Sequence, residues 1–285
     1  MAEPIMIKAK GDGVQINLAT WQGNGKTILC VHGITANCRC WDVLAAALVP
    51  EHNVLAMDLR GRGRSEKPSG GYALDYHLRD INCLLDDLEI DQTVIMGHSL
   101  GAFIGLAFAA QYPQRIDRLI LVDGGGDLSA EQLNRVFEGI KPALDRLGHT
   151  FPSAESYIDK MKQAPYVHPW SAAVETYYRY EIEEVDAGVR TNIDPAHIQE
   201  EAANVRKVDC ASFYAKLLCP VLILRAPNGL FSQDDLLLPE DVINKVTAEI
   251  ADARRFDVAG TNHYGIVMQP HEARDQAIRE FLKDM

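Results

Sequence analysis

Val94-Ile95-Met96-Gly97-His98-Ser99-Leu100-Gly101 is the stretch on which the reading of this chain turns. An apolar run that fits a buried strand leads into Gly-x-Ser-x-Gly, and residues 100–112, apolar almost all round, follow as a helix buried within a fold. Between strand and helix the serine must sit on a sharp, strained turn. Glycine at 97 and 101 lets the backbone pass close by without Cβ clashes. The hydroxyl is then raised above the sheet at a helix N-terminus, where the dipole and free N–H groups favour negative charge. Taken alone, the pattern also fits a serine that caps an ordinary helix. The strand before it and the helix after it make Ser99 the candidate nucleophile.

Outward from this turn the chain alternates strand and helix. Residues 14–21 read as a strand after the Gly11-Asp12-Gly13 turn, and Asn24-Gly25 is a strong turn signal. Residues 27–31 and 93–96 are short apolar runs suited to buried parallel strands, and 53–57 and 118–122 read as strands too. Helices are expected over 41–49, stopped by Pro50, and over 73–88, where Leu74, Leu78, Ile81, Leu85 and Leu88 fall at helical spacing. This rhythm implies an α/β protein with a parallel sheet and helices on both faces. It breaks at residue 127. To about residue 218 the chain reads as helical and polar, with many aromatics and no obvious strand. The pattern resumes with strands at 220–225 and 254–258 and helices at 241–250 and 271–282. A core of residues 1–126 and 219–285, with a helical cap (lid) of residues 127–218 inserted in it, is the organisation expected.

The strand at 27–31 ends in His32-Gly33-Ile34-Thr35, and a second loop reads Asp58-Leu59-Arg60-Gly61-Arg62-Gly63-Arg64-Ser65. With these segments beside the serine turn, the chain resembles the α/β-hydrolase fold family over essentially its whole length. The resemblance implies a mostly parallel eight-stranded sheet with helices on both faces. It also implies that Ile34, after His-Gly, and Leu100, after the nucleophile, donate backbone N–H groups to an oxyanion. Such donors are worth about 3–4 kcal/mol each. His32 and His98 read as side chains that shape these turns. The family order is serine, then acid, then histidine. It points to His263 in Gly260-Thr261-Asn262-His263-Tyr264-Gly265, between the last strand and the last helix, as general base. His271, at the start of that helix, and His149, His168 and His197, in the cap, fit less well.

The acid stays open between two places. The commonest family position follows the strand at 220–225, where this chain has Ala226-Pro227-Asn228-Gly229 and no aspartate before Asp234 and Asp235. Some members supply the acid one strand earlier, and there the strand at 118–122 ends in Asp123, with Gly124 to Gly126 leaving room. Asp123 is preferred, with Asp234 and Asp235 as alternatives. The acid orients the imidazole and stabilises the imidazolium.

The composition narrows the partners. The chain has 285 residues, 47% of them hydrophobic, which suits a sizeable packed core. A net charge of -12 disfavours nucleic acid and anionic membrane surfaces. No apolar run approaches the roughly 18 residues of a membrane span, and the start, Met1-Ala2-Glu3-Pro4, lacks the features of a secretory signal. The six cysteines read as reduced thiols, so a cytoplasmic protein is expected. No zinc-protease, Cys-x-x-Cys or phosphate-loop pattern occurs, and no cofactor or metal is inferred.

In the cap, Phe137, Phe151, Tyr157, Tyr166, Trp170, Tyr177, Tyr178 and Tyr180 suggest an apolar acyl or alcohol pocket with a few hydroxyls, though singly each reads first as packing. Glu181, Glu183, Glu184 and Asp186 read as a solvated helix face, and Arg225, at a sheet edge, as one half of a structural salt bridge. The expectation is a serine hydrolase, carboxylesterase-like, that cleaves a small-molecule carboxylic ester or lactone. Amide or carbon–carbon bond hydrolysis with the same triad is one alternative. A small-molecule receptor with residual hydrolase activity is another. Assembly into a homo-oligomer is left open.

Overall fold

The computed structural model describes residues 3–283. Residues 1, 2, 284 and 285, the outer ends of the two expected core segments and the start of the N-terminal stretch read above, lie outside the described residues. In chain order come β1 (Ile5–Lys10), β2 (Gln15–Trp21), β3 (Thr27–Val31), α1 (Asp42–Leu48), β4 (Asn53–Met57), α2 (Leu74–Asp87), β5 (Thr93–His98), α3 (Leu100–Gln111) and β6 (Ile116–Val122). The intervening segment holds α4 (Ala130–Gly139), α5 (Lys141–Leu144), β7 (Thr150–Phe151), α6 (Ala154–Lys162), α7 (Ala172–Tyr180), β8 (Ile182–Val185), β9 (Gly188–Thr191), α8 (Pro195–Val205) and α9 (Ala211–Tyr214). The chain returns through β10 (Val221–Arg225), α10 (Glu240–Glu249), β11 (Ala253–Asp257), α11 (Gly265–Met268) and α12 (Glu272–Lys283).

Eight strands form one sheet in the order β1-β2-β4-β3-β5-β6-β10-β11. β2 pairs antiparallel with β1 and β4, and the remaining neighbours are parallel. This is the mostly parallel sheet expected from the sequence. Its central strands read as unbroken apolar runs because both faces are covered. Val94, Met96, Ile120, Val122, Leu222 and Leu224 go to the layer shared with α1 and α12. Their alternates Ile95, Leu119, Leu121, Val221 and Ile223 go to the layer shared with α2, α3 and α10. Burying each such side chain contributes roughly 2 kcal/mol. The strand ends at 31, 98, 122 and 225 are thereby held by the core, and the loops that leave them carry the candidate site.

The intervening segment differs from its expected all-helical form. β7, β9 and β8 make a small antiparallel sheet in that order. Glu183 stands opposite Arg190 in its register, and the two form an ion pair at 2.7 Å. The acidic run is therefore a hairpin rather than a helix face. Its first member, Glu181, is fully buried rather than solvated, with the Arg146 guanidinium against it. The run of charges masked a strand whose partner charges sit on the neighbouring strand. At the other end of the segment, Cys210, Tyr214 and Leu217 pack in the layer of α3 and α10. Arg225 bridges Asp257 on the adjacent strand at 2.9 Å, and its Nε donates to Leu238 O at 2.6 Å. The expected structural salt bridge is present there, although β10 lies inside the sheet, not at its edge. All six cysteines are free thiols. Among the described residues no helix is long and apolar enough to cross a membrane.

Candidate active site

β5 ends at His98 and α3 begins at Leu100, so Ser99 alone turns the chain, at φ 55° and ψ −118°. That conformation is strained for a residue with a Cβ, and the packing around it holds it. A Cβ on residue 97 would stand 2.0 Å from the carbonyl oxygen of Gly101, and one on residue 101 would stand 1.9 Å from that of Val31. Only glycine permits both approaches. The Ser99 side chain makes no capping hydrogen bond to the helix, so the ordinary N-cap role is not the one it plays.

The loop after β3 faces this serine. Leu59 N–H donates to His32 Nε2 at 3.0 Å, which leaves the ring proton on Nδ1, 2.7 Å from Gly33 O. Burial pushes His32 down to about 4, so the ring stays neutral. Because the Gly33 carbonyl is held on one side, the Ile34 N–H of the same planar trans peptide points the opposite way. Among the described residues, neither Ile34 N–H nor Leu100 N–H is spent on another protein acceptor. Two free backbone donors therefore border the cavity at Ser99, one of them at the N-terminus of α3.

His263 lies in the turn between β11 and α11, with its N–H on Gly229 O at 2.9 Å. Its Nδ1 is 2.7 Å from Asp123 Oδ2, and both residues are buried. Asp123 leaves the end of β6 at φ 45°, and its other oxygen accepts the Ala226 N–H at 3.0 Å. A carboxylate accepts the Nδ1 proton and leaves the Nε2 lone pair free. No hydrogen bond joins Ser99 to His263 among the described residues. Such contacts commonly close only when substrate is bound.

Of the other acids considered, Asp234 is exposed. Asp235 spends both oxygens on the N–H groups of Leu230, Phe231 and Ser232, at 2.8–3.2 Å. It holds the long loop after β10 in shape. His98 donates from Nε2 to His263 O at 2.9 Å and lies 4.4 Å from the His263 ring, and burial pushes it well below the imidazole range. His271 bonds Ala259 O and His197 stacks on Tyr72, while His149 and His168 are exposed.

Two small cavities of about 40 Å³ each meet at Ile34, Ser99 and Ile140. One is walled by Phe103, Leu133, Val136, Phe137, Val205 and Leu237 with no polar side chain but Ser99. The other adds Thr35, Cys40, Tyr177, His263 and Tyr264 to aliphatic groups. Of the aromatics singled out between residues 127 and 218, Phe137 and Tyr177 reach these walls. Tyr157, Tyr178, Trp170 and Phe151 pack on one another, Tyr166 packs on Tyr264, and Tyr180 donates to Asp58 at 2.6 Å. Neither cavity has a lysine or arginine on its wall. No group of three or more His, Cys, Asp or Glu among the described residues could hold a metal ion.

Sequence reading missed two buried ion pairs behind the site, Arg62–Glu201 and Arg146–Glu181. Their partners stand far apart in the chain, and no local pattern marks them.

The family model described as alpha/beta hydrolase fold matches residues 26–269. The 2-(acetamidomethylene)succinate hydrolase of Mesorhizobium japonicum is 27% identical over 261 residues, covering 92% of this chain and 89% of that protein. The crystal structure of an E-2-(acetamidomethylene)succinate hydrolase superposes with a TM-score of 0.86 at 24% identity, covering 98% and 99% of the two chains. The enol-lactonase of Burkholderia xenovorans LB400 superposes at 0.72 with 21% identity, over 97% and 100%. A 104-residue stretch is 42% identical to an uncharacterized protein of Mycobacterium tuberculosis; it covers 36% of this chain and only 30% of that protein's length.

Proposed function

Since the chain belongs to the α/β-hydrolase fold family, we propose that it is a serine hydrolase of neutral carboxylic esters or lactones, working through an acyl-enzyme on Ser99. The observation that carries this reading is the Asp123–His263 contact of 2.7 Å, buried beside a serine held at positive φ. In the proposed cycle His263 Nε2 takes the Ser99 proton as Oγ bonds to the substrate carbonyl carbon. The oxygen that gains charge is held by the N–H groups of Ile34 and Leu100. The carbon–oxygen bond to the leaving group then breaks, and His263 returns the proton to the departing alcohol. Water, deprotonated by the same nitrogen, attacks the acyl group. Ser99 leaves with its proton restored and a carboxylic acid is released.

The walls argue for the substrate class. The lobe lined by Phe103, Val136 and Phe137 suits an apolar group, and the other lobe is bordered by Tyr177 and Tyr264 but by no cation. A charged acyl group would be desolvated there without a partner.

Ser99→Ala should lower the turnover of p-nitrophenyl butyrate by about 10⁶ and abolish labelling by a fluorophosphonate. Undiminished hydrolysis by the variant would overturn the assignment. Amide hydrolysis is the second reading, favoured by the Mesorhizobium relative, whose named substrate carries an acetamido group. A panel of matched esters, lactones and amides decides between the two. Labelling without turnover of any of them would instead favour a receptor.

A further inference from the structure

Three successive carbonyls of the loop after β3 each accept a hydrogen bond from a buried side chain. Gly33 O takes His32 Nδ1–H at 2.7 Å, Ile34 O takes Arg62 Nε–H at 3.1 Å, and Thr35 O takes Arg146 Nη2–H at 2.9 Å. Tyr177 OH also reaches Thr35 O, at 3.4 Å. Both guanidinium groups are buried, and each is matched by a buried glutamate. Arg146 holds Glu181 through Nε at 2.8 Å and Nη2 at 2.9 Å, and Tyr157 OH donates to the same carboxylate. Arg62 holds Glu201, whose other oxygen accepts His77 Nε2–H at 2.5 Å. The loop and Arg62 precede β5, whereas Arg146, Glu181 and Glu201 come from the segment inserted between β6 and β10.

Four buried charges are a poor way to stabilise a fold. Apolar side chains of similar volume commonly serve as well, because the desolvation cost offsets the attraction. What the ion pairs achieve here is geometric. A planar guanidinium fork, fixed on one side by a carboxylate, presents its remaining N–H in one direction. Two such forks end on adjacent loop carbonyls.

We propose that Arg62–Glu201 and Arg146–Glu181 are positioning pairs that hold the loop at residues 34 and 35 so that the Ile34 N–H faces the reacting carbonyl, and that the oxyanion site is therefore complete only when the inserted segment is seated. This rests on the reading of the site given above. Neither pair touches the substrate. Each acts through the backbone of the loop, and the seated segment both walls the cavity and orients the donor.

The test uses the full-length chain, p-nitrophenyl butyrate as substrate, and a short alkyl trifluoromethyl ketone. The ketone adds Ser99 to its carbonyl and so presents a stable oxyanion to the site. Glu181→Gln and Glu201→Gln should lower kcat about tenfold or more, weaken the ketone by the same factor, and move KM less than about twofold. If a single variant fails to fold, the paired Arg146→Met/Glu181→Leu protein removes the Arg146 donor to Thr35 O, leaving only the longer Tyr177 contact, while keeping apolar volume. It should fold and show the same parallel loss. A folded variant with wild-type kcat and wild-type ketone affinity, whatever its melting temperature, overturns the proposal. A wild type that neither turns over esters nor takes a fluorophosphonate overturns the reading of the site, and the positioning pairs with it.

Discussion

At Asp123 the backbone sits at φ 45°, and the carboxylate is divided between the His263 ring and the Ala226 N–H. Asp235 gives its oxygens to three loop N–H groups instead. The same side chain thus orients an imidazole in one place and shapes a loop in the other. Asp123→Asn should leave folding near normal but cut kcat about 10⁴-fold, because an amide no longer favours the tautomer with Nε2 free. Asp235→Asn should do the reverse. It removes an acceptor from buried N–H groups, costs about 1–3 kcal/mol in urea unfolding, and leaves kcat of the folded fraction within a few-fold. Steady-state kinetics beside denaturation curves separate the two; equal loss of kcat in both variants would contradict the division. The sequence preferred Asp123 and kept Asp234 and Asp235 as alternatives. Which of them meets His263 depends on where β6, β10 and β11 end relative to one another, and sheet register settles that.

At the scale of elements, the strand–turn–helix around Ser99 was legible because its constraints are local. Strand and helix follow from the periodicity of apolar residues, and the two glycines follow from backbone approach. Gly101→Ala places a methyl 1.9 Å from Val31 O, between two buried elements that cannot yield. A loss of about 3 kcal/mol or more, or failure to fold, is expected; an unchanged urea midpoint would show that α3 can shift. The β8–β9 hairpin was not legible in the same way. Its strands are four residues each, and their charges, Glu183 and Arg190, answer each other only across the turn. β1 is similarly inconspicuous, an exposed edge strand whose side chains alternate weakly.

For the whole molecule, pH should act on stability through three buried imidazoles. His32 is pushed down to about 4, and His77 and His98 lie well below the ordinary 6.5, in each case chiefly through burial. Their folded-state values are depressed, so below 6.5 the unfolded chain binds protons that the native chain refuses. Stability is then full above about pH 6.5 and falls as pH drops toward 4, by roughly 1 kcal/mol per pH unit for each ring. Urea midpoints at pH 7.5, 6 and 5 should decline in that order; a flat profile would show that these rings are protonated or solvated in the native state. Protonation of His32 would place its second proton on Nε2, which accepts the Leu59 N–H, so acid would break that contact while Nδ1–H still donates to Gly33 O.

The sequence by itself determined the alternation of strand and helix, the serine turn, and the candidates Ser99, His263, Ile34 and Leu100. These rest on periodicity, on glycine at close approaches and on family order, all of which read along a chain. Only the tertiary structure decided that Asp123 meets the imidazole and that Glu181 is buried. The uncharged cavity walls and the two arginine–glutamate pairs behind the loop of Ile34 also belong to it. Each of these joins residues far apart in the chain, and a buried charge finds its partner only after packing has excluded water from both.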